Sequence, residues 1–325
     1  MMNPRRLQTF EVRVPASTAN LGAGFDCFGL ALELFLAVRA TVLLEPGALT
    51  RARSRTEPGA SPLPRAAEQN LIFRSMLHAA EKEDLPLPPL QIAAHSAIPL
   101  AGGLGSSAAA VVAGIALTFA INGRALPVDD ALRYAKEMDG HPDNVAAALL
   151  GGFTVTCVRA DGSVAALRKN WPAEIQVVAV TPSFSLQTAN ARAVLPASVP
   201  HVDAIYNLQR SALFLAALDE RRYDLLWDAM QDRLHQSHRQ ELVPGLAGIL
   251  RMPRIPGLLG LALSGAGPSV IALATGHFAE IGKAIAGQFE RQDIQSTIRH
   301  LKVANQGQTI VDRSSRGVER RPTGQ

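Results

Sequence analysis

Residues 8–14 alternate polar and apolar side chains and then meet Pro15, which predicts a half-buried strand ending in a loop. A second extended run, residues 34–44, is rich in Val, Leu and Phe. Between residues 51 and 65 the chain turns to Arg, Ser, Gly and Pro with no periodicity, which predicts a surface loop. The period then changes. Leu71, Ile72, Met76, Leu77 and Ala80 recur at helical spacing and predict an amphipathic helix over 69–82. A short strand is expected at 90–94, and residues 108–121 are apolar on most sides, as in a largely buried helix. Further helices are expected at 129–139 and 143–150, the second ending at Gly151 and Gly152.

The second half of the chain predicts strands at 153–158, 175–181, 258–263 and 270–274, and helices at 202–218, 223–235 and 278–289. Strands and helices mix without a regular βαβ alternation, which argues for an α+β fold. With 325 residues, two domains are expected, 1–170 and 171–311, the boundary falling near Trp171. A basic tail, 312–325, is expected to be disordered.

Composition narrows the class. Hydrophobic residues are 47% and charged residues 18%, against roughly 25% charged in an average soluble domain, which excludes a wholly disordered chain. The longest apolar stretch, 108–121, falls short of the about 20 residues that cross a bilayer. Glu11 and Arg13 follow Arg5 and Arg6 where a signal peptide needs an apolar segment, so a cytoplasmic protein is expected. The net charge of +4 owes much to four arginines in the tail, so neither a nucleic-acid nor a membrane partner is expected. Cys27 and Cys157 form no CxxC motif and read as small buried apolar residues.

The sharpest chemical feature is the run Pro99, Leu100, Ala101, Gly102, Gly103, Leu104, Gly105, Ser106, Ser107 leading into the long small-residue helix. Its glycines let backbone approach a ligand, and the helix N-terminus offers unpaired N–H groups and a positive dipole end to an anion. It is neither a Walker A loop, having no lysine, nor a GxGxxG fingerprint. Phosphate charge must then be met by amides, by Ser106 or Ser107, and by magnesium. A plain glycine turn with a serine cap is the alternative reading of the same run.

This run resembles the second motif of the GHMP small-molecule kinases. The segment Pro15, Ala16, Ser17, Thr18, Ala19, Asn20, Leu21, Gly22, Ala23, Gly24, Phe25, Asp26 resembles the family's first motif. The segment from Gly140, His141, Pro142, Asp143 and Asn144 resembles its central one, and Ser264, Gly265, Ala266, Gly267, Pro268 and Ser269 resemble its third. The forms match the branch whose acceptor is homoserine, and the motifs follow in order over most of the chain. The resemblance implies a fold with a ribosomal protein S5 domain 2-like N-terminal domain and a ferredoxin-like C-terminal domain. It also implies ATP and magnesium as co-substrate and cofactor, and transfer of the γ-phosphoryl group to the hydroxyl of L-homoserine, a step of threonine biosynthesis. The oligomeric state stays open, with a homodimer as one option.

Homoserine is a zwitterion, so its ammonium asks for carboxylate or amide acceptors and its carboxylate for arginine. The resemblance assigns Asn20, Asp26, His141, Asp143, Thr188, Arg192 and Arg239 to this substrate, Asp143 to its amine; Asp143 is also the nearest acid in the motif to a reacting hydroxyl, and Asn144 can orient that hydroxyl. Each also has a bland reading: Asp26 as a cap, His141 as a loop histidine, the arginines on a solvated face. Asn70 and Leu71 resemble the family's purine-contact segment, although Asn70 equally reads as a helix cap. For magnesium the family pairs a loop serine with an upstream acid. Ser107 fits the first role; Asp139 is the acid favoured here, where glutamate is usual, with Glu137 in reserve. A sister kinase such as mevalonate kinase, and a non-catalytic metabolite sensor, are the alternatives.

Overall fold

The computed structural model describes residues 8–43, 50–56, 69–139 and 141–314, with backbone alone for 52–56 and 139. Strands β1 (Thr9–Asn20) and β2 (Gly24–Val42) form a long antiparallel hairpin whose turn carries the first motif. β1 runs past Pro15, where the sequence pattern ends. The proline sits at a register shift between Pro15 and Ala16, a bulge that tolerates its missing N–H.

The expected loop at 51–65 is corrected in its first part. Arg51–Thr56 form β3, which pairs in parallel with β4 (Leu90–Ser96) at the edge of the sheet, after helix α1 (Leu71–Glu83). An edge strand can carry arginine at alternate positions, so the apolar period that marks inner strands is absent. The rest of that loop call, residues 57–65, lies outside the described residues.

Helices α2 (Ser106–Ile121), α3 (Val128–Asp139) and α4 (Pro142–Leu150) follow, then strands β5 (Phe153–Val158) and β6 (Val164–Lys169). α2 is buried along almost its whole length and packs against α1, β1 and α3. Its small residues permit this contact: a Cβ on Gly114 would stand 2.3 Å from the carbonyl oxygen of Ile72.

Beyond β6 the chain crosses to a second sheet through β7 (Gln176–Pro182), α5 (Thr188–Ala193) and α6 (His201–Asp219). The expected helix at 223–235 is corrected: a 3-10 turn, Tyr223–Leu225, leads into α7 (Leu226–Ala229), and helix resumes only at α8 (Gln236–Arg239). Asp232 breaks it, because its carboxylate accepts hydrogen bonds from the amides of Leu234, His235 and Gln236 in place of helical carbonyls. α9 (Leu246–Leu250), β8 (Leu258–Leu263), β9 (Val270–Ala274), α10 (Phe278–Glu290) and β10 (Ser296–Leu301) complete the second layer. β11 (Thr309–Asp312) then returns to the first sheet and pairs with β1.

The described strands make a seven-stranded sheet around β11-β1-β2-β4-β3, with β5 attached to β2 and β6 to β5, and an antiparallel sheet β10-β7-β9-β8. The inner strands of the second sheet are buried on both faces. Val177 and Ala179 belong to the core shared with the first sheet, while Val178 and Val180 belong to a second core with Ile281, Ile285 and Phe289 of α10. This explains the unbroken apolar runs there. Of the two cysteines, Cys27 is half-buried, with its thiol pKa raised by burial, but Cys157 is exposed near the end of β5, against the sequence expectation. Among the described residues no helix is long and apolar enough to cross a membrane. Most of the expected tail, 315–325, lies outside them.

Candidate active site

The Gly-rich run forms the floor of a cleft of about 280 Å³ between the two sheets. Its carbonyls from Ala101 to Gly105 are all taken. Leu186 N donates to Ala101 O at 3.1 Å, Ser269 N to Gly102 O at 3.2 Å and Ser17 N to Leu104 O at 3.2 Å. Ser264 Oγ donates to Gly103 O at 2.5 Å, and Ala109 N to Gly105 O at 2.9 Å. A planar trans peptide points its N–H opposite its C=O, so anchoring these carbonyls fixes the direction of the amides that follow them. Ser106, Ser107 and Ala108, the first turn of α2, line the same space, at the end of the helix where the dipole is positive. The arrangement is an anion cradle with fixed dipoles.

Gly105 caps α2 at φ +71, and no serine side chain caps this helix. A Cβ on Gly105 would stand 2.1 Å from Ser17 Oγ, on the side of β1. The glycine therefore accommodates the strand behind the loop; the expected ligand-side clearance is not what requires it. Leu104 is buried, and Pro99, Leu100, Gly102 and Leu104 do not line the cleft. These four act, where they act, by shaping the loop.

At the other end of the cleft the charged residues meet. Arg192 Nη1 and Nη2 donate to the two oxygens of Asp26 at 3.0 and 2.5 Å, a bidentate pair. His141 Nδ1 is 3.9 Å from Asp26 Oδ1, and Thr188 stands at the start of α5 beside them. Arg239 is only 1% exposed, not on a solvated face. Its Nε donates to Ala191 O at 3.0 Å and its Nη1 to Gly265 O at 3.1 Å; Nη2 takes part in neither bond. Burial, with the charge of Arg192 as a lesser cause, lowers its pKa to about 10, so it stays cationic at neutral pH. Asp26 therefore pairs with arginine and caps no helix.

Asn20 joins the first and third motifs: its Nδ2 donates to Gly265 O at 2.9 Å and its Oδ1 accepts from Asp26 N at 3.0 Å. Asn144 is held by Ser17 Oγ, which donates to its Oδ1 at 2.9 Å, and its Nδ2 lies 3.5 Å from Asp143 Oδ1. Asp143, buried in the first turn of α4, accepts from Asn144 N at 2.6 Å. Sequence reasoning gave no role to Ser17 or Ser264; both are chemically ordinary in the motifs, and only the fold shows what they hold.

Two expected groups stand apart. Asn70 caps α1, its Oδ1 accepting from Ile72 N at 3.0 Å, and neither it nor Leu71 lines the cleft. Glu137, the reserve metal ligand, is paired elsewhere: His78 and Lys82 both sit 2.9 Å from its Oε2. Burial would raise its pKa, but these hydrogen bonds and charges outweigh burial and lower it. The side chain of Asp139 lies outside the described residues. Among those residues no cluster of three His, Cys, Asp or Glu could hold a metal.

An anion cradle beside a pocket lined by both signs of charge defines a kinase of small molecules. Residues 70–152 match the GHMP kinases N terminal domain and residues 214–291 the GHMP kinases C terminal domain. The homoserine kinase of Moorella thermoacetica is 39% identical over 300 residues, 92% of this chain and 99% of that protein. The homoserine kinase of Deinococcus radiodurans is 42% identical over 271 residues, 83% and 85% of the two chains. The crystal structure of homoserine kinase from Cytophaga hutchinsonii matches with a TM-score of 0.82 at 29% identity, covering 96% of this chain and 99% of that one. A mevalonate kinase crystal structure, at 15% identity and a TM-score of 0.65, shares the fold. The chain belongs to the GHMP kinase family, in its homoserine kinase branch.

Proposed function

We propose that the chain transfers the γ-phosphoryl group of ATP to the side-chain hydroxyl of L-homoserine, giving O-phospho-L-homoserine and ADP in threonine biosynthesis. The observation that carries the site assignment is the meeting of Asp26, Arg192 and Arg239 at one end of a cleft whose other end is the amide cradle. A zwitterion with a terminal hydroxyl suits that arrangement. Asp26, Asn20, His141 and Asp143 receive the ammonium end, and Arg192, Arg239 and Thr188 the carboxylate. The hydroxyl then lies toward Asn144.

ATP places its phosphates on residues 101–108, and its base goes to Asn70 and Leu71 on family likeness alone, since neither lines the cleft. Among the described residues no lysine lines the cleft, which argues against a lysine base and leaves phosphate charge for a cation to meet. Magnesium, when bound, neutralises charge on the transferring phosphoryl group. Ser107 would hold it together with Asp139, since Glu137 is committed to His78 and Lys82.

The chemistry asked of the protein is positioning and charge stabilisation. The backbone amides hold the phosphates in place, and the Asn144 amide, oriented by Ser17, donates toward the reacting oxygens. Asp143 contributes charge beside the amine. We divide the chain between its two sheets near Trp171, and place it in the cytoplasm, where ATP is available. An assay of ADP release with homoserine, mevalonate and galactose tests the reading. Turnover confined to homoserine is expected, and equal or greater turnover of mevalonate or galactose would overturn it.

A further inference from the structure

His235 is fully buried and does not line the cleft, yet it touches both walls of the amino-acid pocket. Its Nε2 lies 3.0 Å from Gly22 O, in the turn between β1 and β2 that leads to Asp26. Its Nδ1 lies 3.1 Å from Arg239 Nη1. A carbonyl can only accept and a guanidinium can only donate, so both contacts are hydrogen bonds in one state of the ring alone. That state is the neutral imidazole with its proton on Nε2. The carboxylate of Asp232 is 3.6 Å from Nε2, too far to take that proton, and is occupied by Asn207 Nδ2 and by backbone amides. The ring also stacks on Phe25, centroids 4.9 Å apart, and the guanidinium carbons of Arg192 and Arg239 lie 5.3 and 5.5 Å from the centre of the same phenyl ring.

We propose that His235 is a positioning residue for the amino-acid substrate: accepting from Arg239 while donating to the Asp26 turn, it fixes the guanidinium where it receives the carboxylate. It thereby sets affinity for the acceptor and leaves ATP binding alone. The proposal rests on the assignment of Arg239 made above. With Nε and Nη1 tied to Ala191, Gly265 and His235, the guanidinium plane cannot rotate, and the remaining nitrogen, Nη2, keeps one direction.

The test uses the full chain and steady-state kinetics with homoserine and ATP varied in turn. His235→Ala is expected to raise KM for homoserine about tenfold or more, leaving kcat and KM for ATP within about twofold. Asparagine can place an acceptor where Nδ1 stands, so His235→Asn should bring KM back to within about threefold of wild type. Glutamine reaches the Nε2 position and leaves Arg239 without its acceptor, so His235→Gln should resemble alanine. Should His235→Ala not fold, the asparagine and glutamine variants decide. The proposal is overturned if glutamine restores KM as well as asparagine, if neither variant changes it, or if kcat and KM for ATP deteriorate in step with it. Failure of the underlying reading looks different: Arg239→Ala would then leave homoserine KM unchanged.

Discussion

Asp26 and Arg192, 166 residues apart in the chain, close on each other as a two-point ion pair in the cleft. Each is assigned to the opposite end of the same substrate. Homoserine brings one charge of each sign, so it can be received without leaving either side chain unpaired, whereas a neutral sugar cannot. Charge-assisted contacts are worth about 1.5–3 kcal/mol, so Arg192→Ala should lower kcat/KM for homoserine roughly tenfold to 150-fold. ATP affinity should hardly move. Asp26→Asn combined with Arg192→Ala should cost less than the two separate losses together, because the first change removes the charge that the second strands. On an amino alcohol lacking the carboxylate, Arg192→Ala should lose little further activity; equal damage on both substrates would place the arginine outside carboxylate binding.

Gly105→Ala tests the cradle from behind. The position needs φ +71 and has Ser17 Oγ where a Cβ would go. The strain should cost about 1–3 kcal/mol. A lower Tm together with a weaker ATP titration is expected. Adding Ser17→Gly removes the closest contact and should recover part of the Tm, the rest belonging to the Ser17 backbone N and O, each 3.0 Å from the Cβ, and to the backbone angle.

The metal assignment separates two acids on one helix. Glu137→Gln breaks a partly exposed pairing with His78 and Lys82, a loss of about 1 kcal/mol or less in stability, and should leave turnover near wild type. Asp139→Asn should lower kcat and raise the magnesium concentration needed for half-maximal rate. The opposite order of effects would return the role to Glu137.

Acid should loosen the region around α8 before it reaches the carboxylates. Burial lowers the pKa of His235 and outweighs the attraction of Asp232. A base whose folded pKa is depressed makes the unfolded chain the better proton acceptor, so stability falls as pH drops through the unfolded value of about 6.5. Thermal melting between about pH 8 and 5 should show a decline in Tm that His235→Asn flattens. A decline of equal steepness in the variant would assign it to other groups.

How much could be read in advance followed from burial. Strands at 153–158, 258–263 and 270–274 have the ends the pattern predicts, since their apolar runs stop at turn residues on both sides. β3 and β6 were invisible: one is an arginine-bearing edge, and the other exposes Leu167 while mixing polar and apolar positions. The break between α7 and α8 is set by where one carboxylate, that of Asp232, makes its hydrogen bonds, which no period encodes. In the cleft, the residue types at 20, 26, 188, 192 and 239 were legible by family likeness, and the fold brings them together. Their partners were not. The grip of Ser17 on Asn144, and of His235 on Arg239 and Gly22, are contacts between segments whose spacing carries no local signal.

The return of β11 to β1 bears on how the protein is made. Thr9 donates its backbone N–H to Ser314 Oγ, a contact across 305 positions, and Phe10 faces Asp312 in the ladder. During synthesis β1 can pair with β2 as soon as both have left the ribosome, but its other edge must wait for nearly all the remaining residues described here. Until then the nascent chain carries an open strand edge beside the motif that will build the cleft, and an open edge is a template for the wrong neighbour. Translation speed over the second half of the message, and chaperones that cover such edges, therefore bear directly on the yield of folded enzyme.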